Sequence, residues 1–283
     1  MKVRIQVEAE ELLSYKYRLN STEVFPTSLS SLLGNGYSGL KGSGSDLYGI
    51  REYQHGDNYK RVNRQATART GIIHLNEYLE DRLLSAYLLI DQSSPLFFSS
   101  TYVMKSVIAA RRGAETLFSY LKNGHRVSGD VFNEHAHATL PLTSSEVTSE
   151  EWIMQVAKFN QMLLCKQKIS KGNALSEALA RALEAGISGR ELYVFSDFMF
   201  YKGAELMDLL TTLRGNNRIY LIQVTDQLEE NPPLKQWLSN GTNEFILRSE
   251  EEREKYKTLR ETKKQRIMSF SRQNDIVFTE FFT

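Results

Sequence analysis

The sequence predicts an α/β domain, a mainly parallel sheet flanked by helices, preceded by a small β-rich N-terminal extension. Two observations point there. From Leu84 onward, apolar runs of strand length alternate with segments of helical period, the pattern of strand–helix–strand units. The first eighty residues lack that alternation, and their apolar content is too thin to promise independent folding. The division is therefore placed at 1–80 for the extension and 81–283 for the α/β domain.

The elements follow in order. Val3-Arg-Ile-Gln-Val7 alternates like an exposed strand, and Ile72-Ile-His-Leu-Asn-Glu-Tyr-Leu79 reads as β-rich. The first core strand is Leu84 to Asp91. A helix from about Thr101 to Lys122 places Val103, Met104, Val107, Ile108, Ala114, Leu117, Phe118 and Leu121 on one side, with Gly124 to stop it. Arg126 to Phe132 is a strand, Ala138 to Leu142 an edge-like run, and Ser149 to Cys165 a helix. Asn173 opens the next helix, whose stripe is Leu175, Leu179, Ala182 and Leu183. Glu191 to Asp197 is a strand, Ala204 to Arg214 a helix closed by Gly215, and Arg218 to Thr225 a central strand. Asn243 to Arg248 fits a last strand of the sheet. Ser249 with Glu252 forms a capping box for a helix running to about Arg272, and Val277 to Phe282 is a terminal strand or arm.

With 35 basic against 34 acidic residues the net charge is +1, so no global field draws the protein onto nucleic acid or an anionic membrane. The single cysteine, Cys165, has no intrachain partner and suits a reducing compartment, as a small buried apolar residue rather than a nucleophile. The opening residues lack the apolar core of a signal peptide. The longest nearly apolar run, Leu83 to Ile90, falls far short of the ~20 residues of a membrane span. The expected location is cytoplasmic.

In an open parallel sheet, ligands bind beyond the carboxyl ends of the strands. Asp91 and Asp197 both end strands, Ser93 follows the first, and Asn173 precedes a helix, so one crevice is expected to gather all four. Oxygen-only ligation of this mixed character suits Mg²⁺, Mn²⁺ or Ca²⁺ better than zinc. A second constellation lies upstream: Gly42, Gly44, Asp46 and Leu47, then Arg51, Tyr53, Gly56 and Asp57, then Arg61, Val62, Asn63, Ala68 and Arg69. Arg51, Asp57, Arg61 and Arg69 read either as a salt-bridge network or as a partner surface, and the residues leave both open.

At the sheet edge the chain resembles the von Willebrand factor A-like (Rossmann-like) fold, whose metal-ion-dependent adhesion site combines an Asp-x-Ser-x-Ser loop with a threonine and a further aspartate. Asp91 and Ser93 match, Pro95 replaces the second serine, Asn173 stands for the threonine, and Asp197 supplies the last carboxylate. The resemblance thus implies a degenerate site that binds Mg²⁺ or Mn²⁺ at low affinity. With the upstream constellation and Asp226-Gln-Leu-Glu229, the chain resembles the bacterial family called domain of unknown function 58 from about residue 34 onward.

That resemblance implies a non-enzymatic adaptor working with a MoxR-type AAA ATPase on a protein client, through the sheet edge, the upstream cluster or both. The alternative is a metal-dependent hydrolase using Asp91 and Asp197, but neither a second metal cluster nor a convincing base is visible. Gly34-x-Gly36 and Gly42-x-Gly44 lack the context of a nucleotide loop, and Ser93 lacks elbow glycines. His55 reads as a turn residue, and His135 and His137 have no companion ligands. Lys255, Lys257, Arg260, Lys263, Lys264 and Arg266 are interspersed with glutamates and read as a solvated helix face rather than a nucleic-acid site.

Overall fold

The computed structural model describes residues 5–18, 37–55, 57–81, 83–163, 173–199, 201, 203–235, 237–239 and 244–283. Gly34, Gly36, Gly56, Cys165 and Gly172 lie outside the described residues. In chain order the elements are α1 (Ala9–Arg18), β1 (Tyr37–Glu52), α2 (Arg64–Thr70), β2 (His74–Asp81), β3 (Ser85–Asp91), α3 (Lys105–Lys122), β4 (Arg126–Phe132), β5 (His137–Thr143) and α4 (Glu146–Met162). They continue with α5 (Ala174–Glu184), β6 (Glu191–Ser196), α6 (Gly203–Arg214), β7 (Arg218–Thr225), α7 (Gln227–Glu230), β8 (Trp237–Ser239), β9 (Glu244–Ile246), α8 (Glu250–Gln273) and β10 (Val277–Phe282).

The central sheet has six strands in the order β10-β7-β6-β3-β4-β5. Every pairing is parallel except that of β5, which runs antiparallel to β4 at one edge. All seven residues of β3 are buried, as its position inside the sheet requires. Successive side chains alternate between the two faces. Tyr87 and Leu89 join Leu192, Val194, Ile219 and Leu221 in a core with Leu175 and Leu179 of α5, Leu206 and Leu210 of α6, and Ile267 of α8. Ile90 points the other way, against Gly113 of α3. Burying each such aliphatic side chain contributes about 1.5–3 kcal/mol.

Of the expected strand at Asn243 to Arg248, Asn243 lies outside the described residues and the remainder is not part of this sheet. Its Glu244–Ile246 segment pairs antiparallel with β8 in a separate two-stranded ribbon. The edge beside β7 is taken instead by β10, in register from Val277 with Tyr220 to Phe282 with Thr225. Of the expected strand Val3–Val7, Val3 and Arg4 lie outside the described residues, and the rest differs from expectation. Residues 5–8 join no strand; the Val7 amide donates to Asn160 Oδ1 at 2.8 Å, and α1 buries Leu12 and Tyr15. That helix packs on α3 and α4. The expected 1–80 extension is accordingly divided, since the compact units are Met1–Asn20 with Ser85–Thr283, and Ser21–Leu84.

In the second unit β1 and β2 form an irregular antiparallel pair, with register shifts between Tyr37 and Gly49. The glycine-rich stretch carrying Gly42, Gly44 and Asp46 lies in β1. Among the described residues no helix is long and apolar enough to cross a membrane.

Candidate functional site at the carboxyl edge of the sheet

Asp91 ends β3 and Ser196 ends β6, the strand hydrogen-bonded beside it. Asp91 is 3% exposed, and both of its oxygens are engaged: Oδ1 accepts from the Ser93 amide at 2.8 Å and Oδ2 from the Ser196 hydroxyl at 2.5 Å. Burial pushes its carboxyl up to about 7; the Ser196 and Ser93 hydrogen bonds pull the other way, and the charge of Asp197 adds to the rise. The following Gln92 is fully buried on the opposite face, where it donates to the Ser106 carbonyl at 3.0 Å and accepts from Asn160 Nδ2 at 2.9 Å. Beyond it, Ser94, Pro95 and Leu96 form a 3₁₀ turn, and Glu134 Oε1 accepts from both the amide and the hydroxyl of Ser94. Pro95 stiffens this loop and offers no ligand.

Asp197 follows Ser196 and so turns to the other side. Its Oδ1 accepts from the Met199 amide at 3.0 Å, and its Oδ2 lies 3.2 Å from the Lys105 ammonium. Lys105 is the first residue of α3 and is wholly buried. Its Nζ also lies 2.8 Å from Glu229 Oε1, on α7. The second oxygen of Glu229 receives Arg260 of α8 at 3.0 Å, and the same guanidinium nitrogen donates to Thr225 Oγ1 at 2.7 Å. A chain Asp197–Lys105–Glu229–Arg260 thus runs across the carboxyl edge, tying α3, the β6 terminus, α7 and α8 together. Burial disfavours the charge on Lys105, yet Asp197 and Glu229 hold its pKa above the ordinary value. Arg260 behaves alike: burial opposes its charge, while Glu229, Tyr256 and Asp197 raise it.

Asp226 braces the neighbouring loops. It accepts from the amide and hydroxyl of Ser100 at 2.8 and 2.5 Å, from the Leu228 amide at 2.8 Å, and from the Thr283 hydroxyl. Burial would raise its pKa, but those donors hold it below the usual value.

The structure therefore brings Asp91, Ser93 and Asp197 to one edge of adjacent strands. Asn173 is not hydrogen-bonded to any of them among the described residues; its Nδ2 faces Glu205 at 3.4 Å. Nor does it cap the helix through its side chain, as the sequence led one to expect. Lys105 is not among the residues the sequence singles out, and Arg260, expected on a solvated helix face, has a side chain only 13% exposed. The signal for Lys105 was present: a lysine inside the apolar stripe Val103–Ile108 calls for a buried carboxylate partner.

These residues do not fit a divalent cation. One oxygen of Asp197 is taken by an amide and the other by an ammonium, both oxygens of Asp91 accept hydrogen bonds, and Pro95 has no donor atom. Mg²⁺ needs about six oxygen ligands in near-octahedral array. Among the described residues no three His, Cys, Asp or Glu side chains gather as a metal-binding group.

Among the described residues, the upstream cluster includes several local contacts. Arg51 meets Asp57 in a two-pronged pair, Nη1 to Oδ2 at 2.6 Å and Nη2 to Oδ1 at 2.7 Å, and the Gln54 amide adds a bond of 2.8 Å to Asp57. That pairing, with the Gln54 amide, brings the Asp57 carboxyl down to about 2. Tyr53 and Tyr59 rings lie 4.8 Å apart. Asn63 caps α2 by accepting from the Ala66 amide at 2.9 Å and ties it to β2 through Asn76 at 2.7 Å. Arg69 is exposed near the end of α2.

The six-stranded, mostly parallel sheet flanked by helices places the protein in the α/β class, consistent with a von Willebrand A-like or Rossmann-like fold. The chain belongs to the family described as Protein of unknown function DUF58, which matches residues 49–268. It is 28% identical over 122 residues to Uncharacterized protein Rv1480 of Mycobacterium tuberculosis (strain ATCC 25618 / H37Rv), 43% of this chain and 38% of that relative. The match to Uncharacterized protein Mb1516 of Mycobacterium bovis has the same extent. The chain thus spans well under half the length of these curated relatives. Among solved structures it is similar to the conserved hypothetical protein BatB from Bacteroides thetaiotaomicron, with a TM-score of 0.45 and 16% identity over 71% of this chain and 91% of that one. An aerotolerance-related membrane protein from Bacteroides fragilis gives 0.43, with 14% identity over 70% and 91%.

Proposed function

We propose that the protein is a non-enzymatic interaction module, an adaptor that engages a MoxR-type AAA ATPase and presents a protein client to it. One observation carries the reading. The carboxyl edge, where open α/β sheets engage ligands, is cross-braced by the Asp197–Lys105–Glu229–Arg260 chain, and the segments it braces expose large apolar side chains, Tyr102 at 51% and Leu259 at 59%. An exposed tyrosine beside a fixed set of elements is the kind of side chain that anchors protein–protein contacts. The choice of a MoxR-type ATPase as the partner rests on the motif order shared with the DUF58 family. Hydrolysis by Asp91 and Asp197 is the poorer reading, because Asp91 is bound to two serines while Asp197 is neutralised by Lys105.

Co-purification with a MoxR-type ATPase from the same organism, in ATP, ADP and nucleotide-free buffers, tests the proposal. Association is expected in at least one state, through an interface of about 1,000 Å² or more. Tyr102→Ala and Leu259→Glu are expected to weaken it by about tenfold, some 1.4 kcal/mol. No association in any nucleotide state sinks the adaptor reading.

A further inference from the structure

We infer that the Lys105 ammonium is the resident cation of the carboxyl edge, doing there what a divalent ion would otherwise do, so that the edge assembles without metal and gains metal affinity only when the ammonium is removed. The inference stands whether or not an ATPase is the partner.

A bound cation at such an edge joins carboxylates from separate loops. Lys105 does this from within the chain. Its Nζ lies 3.2 Å from Asp197, at the end of β6, and 2.8 Å from Glu229, beyond β7, while its stem is anchored at the start of α3. An ammonium has three donors and no acceptor, and two of the three are met by carboxylates. The Phe98 ring lies beneath it, 5.7 Å from Nζ to the centroid, so the charge is walled off from water on that side as well. The side chain has no exposed surface. A divalent ion placed among the same carboxylates would meet a buried positive charge at contact distance, with Arg260 a second cation on Glu229 at 3.0 Å. Removing Nζ while leaving Asp197 and Glu229 in place reverses this: two buried carboxylates then face a vacated space, which favours uptake of a small hard cation.

The test is titration of MnCl₂ into the whole protein, read by loss of the free-ion electron paramagnetic resonance signal. Wild type is expected to take up no Mn²⁺ in a manner that Asp197→Asn removes. Lys105→Ala is expected to bind with a Kd of about 10⁻⁴ to 10⁻³ M, the weak end of oxygen-ligated sites, and to lose that binding when Asp197→Asn is added. Lys105→Gln, which keeps most of the chain length, is the second variant should the alanine fail to fold, and it is expected to gain uptake in the same direction. Wild-type uptake abolished by Asp197→Asn overturns the inference, as does a folded Lys105→Ala or Lys105→Gln that takes up no more Mn²⁺ than wild type. If neither variant folds, the wild-type titration decides alone, silence supporting the inference and Asp197-dependent uptake ending it.

Discussion

The Lys105 ammonium and the Asp197 carboxylate meet at 3.2 Å with the lysine side chain entirely buried. Breaking a buried pair by removing one partner leaves the other as an uncompensated charge, at a cost of about 3–5 kcal/mol. Lys105→Met is expected to destabilise the protein by that amount in urea unfolding followed by circular dichroism. Adding Asp197→Asn removes the orphaned charge, so the double variant should lose clearly less than the sum of the two single losses. Strict additivity would mean that the pair is not coupled.

Asp91 sets a pH dependence of definite sign. Its folded pKa of about 7 lies above the ordinary 3.8, so the folded state holds its proton where the unfolded chain has released it. The stabilisation from this group is full below 3.8, falls as pH rises from there to about 7, and is level above. At about 1.4 kcal/mol per unit, the fall amounts to about 4 kcal/mol. Asp91→Asn mimics the protonated acid toward Ser93 and Ser196, so the variant should lack this fall and gain on wild type between pH 4 and 7. Parallel stability curves for the two proteins would refute the assignment.

The strand–helix alternation made the fold legible, because central parallel strands such as Leu88-Leu-Ile are buried on both faces and advertise themselves as apolar runs. Short edge elements were less readable. Glu244-Phe-Ile246 and Val277–Phe282 look alike as sequence, and what separates them is which one the β7 edge accepts, a matter of tertiary pairing. Ile5–Val7 alternates over too few residues to specify a strand, and the chain turns into the helix that begins at Ala9. At the site, Asp91, Ser93 and Asp197 could be picked because strand ends expose them to one edge. Lys105 and Arg260 could not be picked by spacing, since their partner Glu229 lies 124 positions from the one and 31 from the other. Only the anomaly of a charge within an apolar stripe marked the lysine.

Gly113 offers a test of the packing between α3 and β3. An added Cβ would come within 2.2 Å of Ile90 Cδ1 and 2.9 Å of its Cγ1. Gly→Ala within a helix ordinarily gains up to about 1 kcal/mol. Here both residues are buried and the overlap reverses the sign, with an expected net loss of about 1–3 kcal/mol. Ile90→Val deletes Cδ1, so Gly113→Ala combined with Ile90→Val should be more stable than the two separate losses would sum to. Thermal unfolding of the four proteins checks it.

Arg51 and Asp57 pair within the hairpin unit. Two parallel N–H···O bonds and the Gln54 amide hold the Asp57 carboxyl at about 2, below its ordinary 3.8. A depressed folded pKa means that the pair supports the folded turn above 3.8 and that the support is lost as pH falls through about 2. The pair is open to solvent, so its effect on global stability should be small and its clearest readout is the carboxyl carbon shift of Asp57 in an NMR titration. Wild type should titrate near 2, and Arg51→Gln should move the midpoint up toward 3.8, short of it because the Gln54 amide remains. Arg51→Lys keeps the charge but loses the two-pronged geometry, and its midpoint should fall between the other two. Salt should raise the wild-type midpoint and leave that of Arg51→Gln nearly fixed, since only the former depends on an opposite charge. Identical midpoints in wild type and Arg51→Gln would show that the turn amide alone, and not the arginine, holds the carboxylate.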